Sequence, residues 1–260
     1  MRISKAEIRL LRSLAQKKVR ERERKFLIEG WKPLKDALDS DYVIEFVAVT
    51  PQQLQNPEHG PFVTSLKSGG LAMKELTEIE LRQVSDTVHA QGIVALVRQK
   101  TESLDEVLAH DPKLVVLADH IADPGNLGTI VRTCDWFDVG ALILSDGCVD
   151  LYNEKVIRST SGSIFHLPIT EGADLISVVS HLQSTGFRCF ATSGDAEISY
   201  REAAYGPKNA IVFGSEAAGV DPGIRALVDS MIGVPREGRA ESLNVGVACG
   251  IVLAHLRQRG

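Results

Sequence analysis

The apolar positions follow two regimes, with the change near residue 100. Before it, AEIRLLRSLAQKK has apolar residues at helical spacing, KFLIEG is a short strand, WKPLKDALD returns to helix and YVIEFVAV is a second strand. LTEIELRQVS is again helical, QGIVALVRQ is a closing strand, and TESLDEVLAHDPK is a polar connection holding one short helical pattern. From Lys113 onward, LVVLAD, ALILS, FRCFATS and AIVFGS are unbroken apolar runs of strand length, as expected where both faces of a sheet are covered. NLGTIVRTCDWF, LISVVSHLQSTG and GIRALVD lie between them at helical spacing. The pattern predicts a small N-terminal α/β domain over residues 1–105 and an α/β domain with a largely parallel sheet over 106–260. Ligands of such sheets collect at the carboxyl ends of the strands, so functional residues are expected in the segments that follow the strands.

Three of them hold candidate chemistry. In ADHIADPGNLGTIVRTCDWF the DPGN stretch is turn chemistry and Asn126 is placed to cap the following helix. Leu127, Ile130, Val131, Cys134 and Phe137 share one face of that helix. Arg132 projects about 140° from Leu127 and avoids the core, near a helix N-terminus where anions bind well. Taken singly, these are a capping Asn and a solvated Arg. In IVFGSEAAGVDPGIRALVD, Gly214 and Gly219 flank Glu216 after a strand, so backbone amides can approach a ligand closely; a turn with an exposed Glu is the plainer reading. In MIGVPREGRAESLNVGVACGIVLAH a short strand ends at Pro235 and a polar loop holds Gly238. Ser242 or Asn244 then caps a helix whose Gly246, Ala248 and Gly250 permit close packing.

Composition narrows the class. The 260 residues are 44% hydrophobic and 24% charged, the balance of a soluble globular protein. The most apolar stretch, GVACGIVLAH, is too short to cross a bilayer, and MRISKAEIRLLRS lacks an apolar signal core; a cytoplasmic protein is expected. The four cysteines are scattered with no CxxC pair, so no metal site is expected and buried reduced thiols are. Net charge is −5, yet residues 1–25 hold ten Lys/Arg against three Glu, a local +7 that leaves −12 for the rest. A basic entry surface for RNA and a solvated helix face both fit this asymmetry. A dehydrogenase or other nucleotide-binding enzyme would need a glycine fingerprint or phosphate loop, and the sequence has neither.

Taken together, DPGNLGTIVRT, VFGSEAAGV and GVPREGRAESLNVGVA resemble, in order and spacing, the three signature motifs of the SpoU family of RNA 2′-O-ribose methyltransferases, within the SPOUT superfamily of trefoil-knot methyltransferases. KVIRSTSGSIFHLPI resembles the family segment between the first two motifs, and KKVRERERKFLIEGWKPLKDAL is similar to the family's RNA-binding substrate domain. Two positions depart: Arg236 follows Pro235 where the family usually carries methionine, and Val234 replaces isoleucine. The resemblance implies a knotted C-terminal domain that binds S-adenosylmethionine through Thr192, Ser193, Gly194, Gly214, Gly219, Ile232, Val234, Pro235, Gly238 and Leu243. It implies Arg132, Asn126, Glu216, Ser242 and Asn244 as the catalytic set, with the active sites at the interface of a homodimer. Arginine is effectively never deprotonated, so Arg132 is expected to clamp a phosphate and stabilise charge on the ribose oxygen rather than act as a base. The expected substrate is structured RNA, large-subunit rRNA first and tRNA second. A non-catalytic RNA-binding paralogue is the alternative, and the intact Asn126, Arg132, Glu216 and Asn244 speak against it.

Overall fold

The computed structural model describes residues 1–85 and 90–259. Its contacts divide the chain into two compact units, Met1–Lys100 with Tyr152–Phe165, and Thr101–Leu151 with His166–Gly260.

The first unit opens with α1 (Lys5–Ser13), entered through a capping box. The Ser4 hydroxyl accepts from the Glu7 N–H and the Glu7 carboxylate accepts from the Ser4 N–H. The apolar spacing runs on to residue 18, but the helix breaks at Leu14 and restarts as α2 (Lys17–Glu23). Arg20 stabilises the break: its guanidinium donates to the carbonyls of Leu14 at 2.6 Å and Ala15 at 2.9 Å, groups that a helix end leaves without partners. Arg20 is 3% exposed, so this member of the basic N-terminal count belongs to the interior. There follow β1 (Lys25–Glu29), α3 (Trp31–Leu38), β2 (Ile44–Val49), α4 (Pro51–Leu54), α5 (Gly60–Ser68), β3 (Met73–Glu75), α6 (Glu78–Val84) and β4 (Ile93–Arg98). Among the described residues they form a four-stranded sheet in the order β1-β4-β2-β3, antiparallel except for β2 with β3. Central β4 buries every residue from Ile93 to Val97, which explains its unbroken apolar run. The sequence pattern misses β3, whose three residues are too few to display a period of two, and both α4 and α5.

The second unit begins with α7 (Leu104–Leu108), β5 (Leu114–Asp119), α8 (Pro124–Trp136) and β6 (Ala141–Ser145). The chain then supplies α9 (Glu154–Thr160) and a 3-10 turn (Ser163–Phe165) to the first unit. The sequence pattern places 152–165 with the C-terminal domain. In the structure Phe165 lies 6.2 Å from Phe26 of β1, ring to ring, because its apolar residues find their core there. The second unit resumes with β7 (Ile169–Ala173), α10 (Leu175–Ser184), β8 (Arg188–Thr192), β9 (Ile198–Ser199), β10 (Asn209–Gly214), α11 (Pro222–Leu227), β11 (Ser230–Gly233) and α12 (Val245–Arg259). Among the described residues its sheet has seven strands in the order β7-β6-β5-β10-β8-β11-β9, and every pairing is parallel. Its core includes Val115, Leu117, Ile143 and Val212, all fully buried, from strands covered on both faces, with Val179 of α10 packed among them. No helix among the described residues is long and apolar enough to cross a membrane.

Candidate active site

All the candidate chemistry lies in the second unit, at or just beyond the carboxyl ends of its strands. After β5 the N-cap of α8 is Asp123 rather than Asn126. The Asp123 carboxylate accepts from the Asn126 N–H at 2.8 Å, and Pro124 occupies the first turn, where its missing N–H is harmless. Two corrections follow. Asn126 lies inside the helix with its side chain available elsewhere. Arg132 sits more than two turns into α8, so a helix N-terminus supplies it with no anion site. Of the predicted face, Leu127, Ile130, Val131 and Cys134 are buried, whereas Phe137 is the C-cap and only half-buried; Arg132 is exposed.

Asn244 ties the three segments together. Its Nδ2 donates to Asn126 Oδ1 at 2.8 Å and to Glu216 Oε1 at 3.0 Å. Its Oδ1 accepts from the N–H groups of Gly246 at 3.0 Å and Val247 at 3.2 Å, capping α12. Of the two capping candidates, Asn244 therefore takes the role. One planar amide fixes the start of α12, a residue of α8 and the carboxylate that follows β10.

Beside this cluster lies a cavity of about 320 Å3, within the range of small-ligand sites. It is lined by Thr192, Ser193 and Gly194 after β8, Gly214, Glu216 and Gly219 after β10, and Ile232, Val234, Pro235, Gly238, Ser242 and Leu243 from β11 onward. Arg132, Asn126 and Asn244 are not among its lining residues. Glycine is required at the turn after β10: a Cβ on Gly214 would come within 2.3 Å of the Gly219 backbone, and Gly219 has φ +70°. A Cβ on Gly194, Gly219 or Gly238 would meet nothing within 4 Å, so these positions border open space. The sequence reading overlooks Ser215, Ala240, Glu241, Val245, Ala248 and Val252, which also line the cavity, and notes Arg236 only as a departure. The spacing of Val245, Ala248 and Val252 on one face of α12 was the available signal.

Glycine also brings α12 close to α8, since a Cβ on Gly246 would come within 2.7 Å of the Thr129 methyl. The thiols stand apart from the cavity. Cys134, Cys189 and Cys249 are buried, and Cys148 is partly so. Burial raises the pKa of Cys134 and Cys148, and raises that of Cys189 to about 12, so these three are protonated and poorly nucleophilic at neutral pH. Among the described residues no group of three or more His, Cys, Asp or Glu could hold a metal ion.

A parallel sheet with a glycine-bordered cavity at its carboxyl edge and an Asn–Asn–Glu cluster beside it defines a ligand-binding α/β enzyme. Residues 113–254 match the SpoU rRNA Methylase family and residues 5–95 match the MRM3-like substrate binding domain. The chain is 33% identical over 246 residues to the 23S rRNA (guanosine(2553)-2'-O)-methyltransferase RlmP of Bacillus subtilis, with 95% of this chain and 94% of that protein covered. Among solved structures it resembles an AdoMet-bound rRNA methyltransferase from Sinorhizobium meliloti, with a TM-score of 0.87, 26% identity and 98% and 95% of the two chains covered. It also resembles an RNA 2'-O ribose methyltransferase, with a TM-score of 0.83, 32% identity and 100% and 99% covered. The chain belongs to the SpoU rRNA methylase family. Its activity is that of an S-adenosylmethionine-dependent RNA methyltransferase.

Proposed function

We propose that this protein methylates the 2′-hydroxyl of one ribose in large-subunit rRNA, with the cavity residues holding the cofactor and Arg132, Asn126, Glu216, Ser242 and Asn244 forming the reaction centre. The observation that carries the assignment is the Asn244 amide, which joins Asn126, Glu216 and the start of α12 beside a cavity lined by all ten residues expected to bind the cofactor. The cavity fits S-adenosylmethionine: apolar side chains such as Ile232, Val234 and Leu243 suit the adenine, and the glycines leave backbone room for the ribose and tail. When bound, the cofactor supplies an electrophilic methyl group on a sulfonium.

The protein's own residues then position and stabilise. Arg132 is exposed and outside the cavity, which suits contact with RNA rather than with cofactor. Its guanidinium stays charged, so its role is to clamp the phosphate beside the target and favour negative charge on the ribose oxygen. The knot implied by the family is part of the proposal, supported by the placement of β10 between the earlier strands β5 and β8. A homodimer is proposed as well. Gly246 of α12 packs within its own chain, so the support comes from Trp136 and Val247, 82% and 49% exposed on the adjoining helices α8 and α12. Sedimentation that returns a fully active monomer at micromolar concentration would refute the dimer. The first unit is assigned to RNA selection on its match to a substrate-binding domain, and the setting is taken as cytoplasmic. Mapping ribose methylation in total RNA with and without this protein tests the substrate. A single lost site in the large-subunit rRNA is expected, and a lost site in tRNA alone would move the assignment there.

A further inference from the structure

The charged residues around the cavity form a pattern that its apolar floor does not require. Among the described residues that line it, Arg236 is the one cation, and Glu216 and Glu241 are the carboxylates. Arg236 follows β11 on the loop that leads to α12. Its Nη1 donates to the Ala240 carbonyl at 3.3 Å, so the side chain lies back across its own loop. A guanidinium has five N–H donors in a planar fork, and one such bond leaves most of the fork for a ligand. S-adenosylmethionine has the complementary set, one carboxylate against an ammonium and a sulfonium. A guanidinium pairs with a carboxylate through two parallel hydrogen bonds, a geometry that an ammonium or a neutral side chain cannot reproduce.

We propose that Arg236 binds the carboxylate of the cofactor's amino-acid tail and thereby makes this cavity selective for a ligand that carries that tail. The inference rests on the cofactor reading above and adds a residue that reading does not assign. Contact with the carboxylate and retention of the Ala240 bond are compatible, since different N–H groups serve each. The loop from Arg236 to Ala240 is then held over the tail by the same side chain that recognises it.

Calorimetry on the full-length protein separates this role from a purely structural one. The ligands are S-adenosylmethionine and 5′-methylthioadenosine, which keeps the adenosine, has a neutral thioether in place of the sulfonium and lacks the amino-acid tail. Arg236→Met is expected to weaken S-adenosylmethionine about tenfold or more and to leave 5′-methylthioadenosine within about twofold, as loss of a charge-assisted pair predicts. Arg236→Lys, which keeps the charge and loses the fork, should fall between. Equal weakening of both ligands by Arg236→Met would show that the side chain only shapes the loop, and no change in either would show that it does not touch the tail; each overturns the inference while the cofactor reading stands. A wild-type protein that binds neither ligand would overturn the cofactor reading and this inference with it.

Discussion

Asn244 shows how much a single amide can be asked to do. Its oxygen caps α12 through local bonds to the Gly246 and Val247 N–H groups, while its nitrogen bridges Asn126 and Glu216, in segments distant in sequence. The two roles can be separated. Asn244→Asp keeps a good N-cap and loses both donors, placing a carboxylate beside Glu216. Thermal stability should change by less than about 1 kcal/mol while methyl transfer collapses, whereas Asn244→Ala should lose the cap as well, at a cost of about 1 kcal/mol. Melting curves read beside single-turnover rates check both, and an Asn244→Asp variant of wild-type rate would remove the bridge from the account. Arg132→Ala should lower the rate about 10²–10³-fold with cofactor affinity held within about twofold, since Arg132 stands outside the cavity. Calorimetric loss of cofactor binding in that variant would contradict its assignment to RNA. The residues around the site were largely legible because chemistry begins where the apolar runs stop. The misplaced cap shows the limit: Asp123 and Asn126 are both good capping residues, and only the preference of Pro124 for a first helical position distinguishes them.

At the scale of elements, the turn after β10 is governed by backbone crowding. Gly214→Ala would push a Cβ to 2.3 Å from the Gly219 carbonyl carbon, a contact that backbone cannot relieve by a rotamer change. A loss of about 1–3 kcal/mol of stability is expected, with weaker cofactor binding because both glycines border the cavity. Chemical unfolding and calorimetry on the variant measure these, and an unaltered protein would show the turn to be more yielding than its geometry. The first unit offers a pH test. The Thr77 N–H, bonded to the Glu80 carboxylate, holds its pKa below the ordinary 4.5 despite some desolvation, with the Thr77 hydroxyl and Arg2 assisting. A depressed pKa contributes stability that is present above the unfolded value and is lost as pH falls through the folded one. Glu80→Gln should therefore destabilise the protein at neutral pH, and its difference from wild type should shrink below about pH 4.5. A difference that stays constant on acidification would show that ionisation of Glu80 contributes nothing. The helices α8 and α10 were readable because they repeat the helical period several times, and the strands β5, β6 and β10 because each is an unbroken apolar run of strand length. β3 and β9, of three and two residues, contain no period to read.

Across the whole molecule, the sequence pattern divides the chain near residue 100, and the contacts place the change at Lys100 and Thr101. The return of Tyr152–Phe165 to the first unit was not legible, because local apolar spacing records that a segment will be buried and not which core receives it. The same limit applies to the cavity. Its glycines and strand-end residues follow from the order of elements, while Arg236 and Glu241 join it through packing that no local pattern encodes. The basic N-terminus illustrates the converse, since Arg20 counts as surface charge in a sum and lies buried on helix-end carbonyls. The function proposed above is that these parts together move a methyl group from S-adenosylmethionine to a ribose oxygen. Its most direct test is to incubate the purified protein with methyl-labelled S-adenosylmethionine and unmodified large-subunit rRNA, digest the RNA to nucleosides and identify the labelled product by mass spectrometry. One 2′-O-methylated nucleoside is predicted, absent with Arg132→Ala; label on a base, or no label on any RNA, would contradict the account.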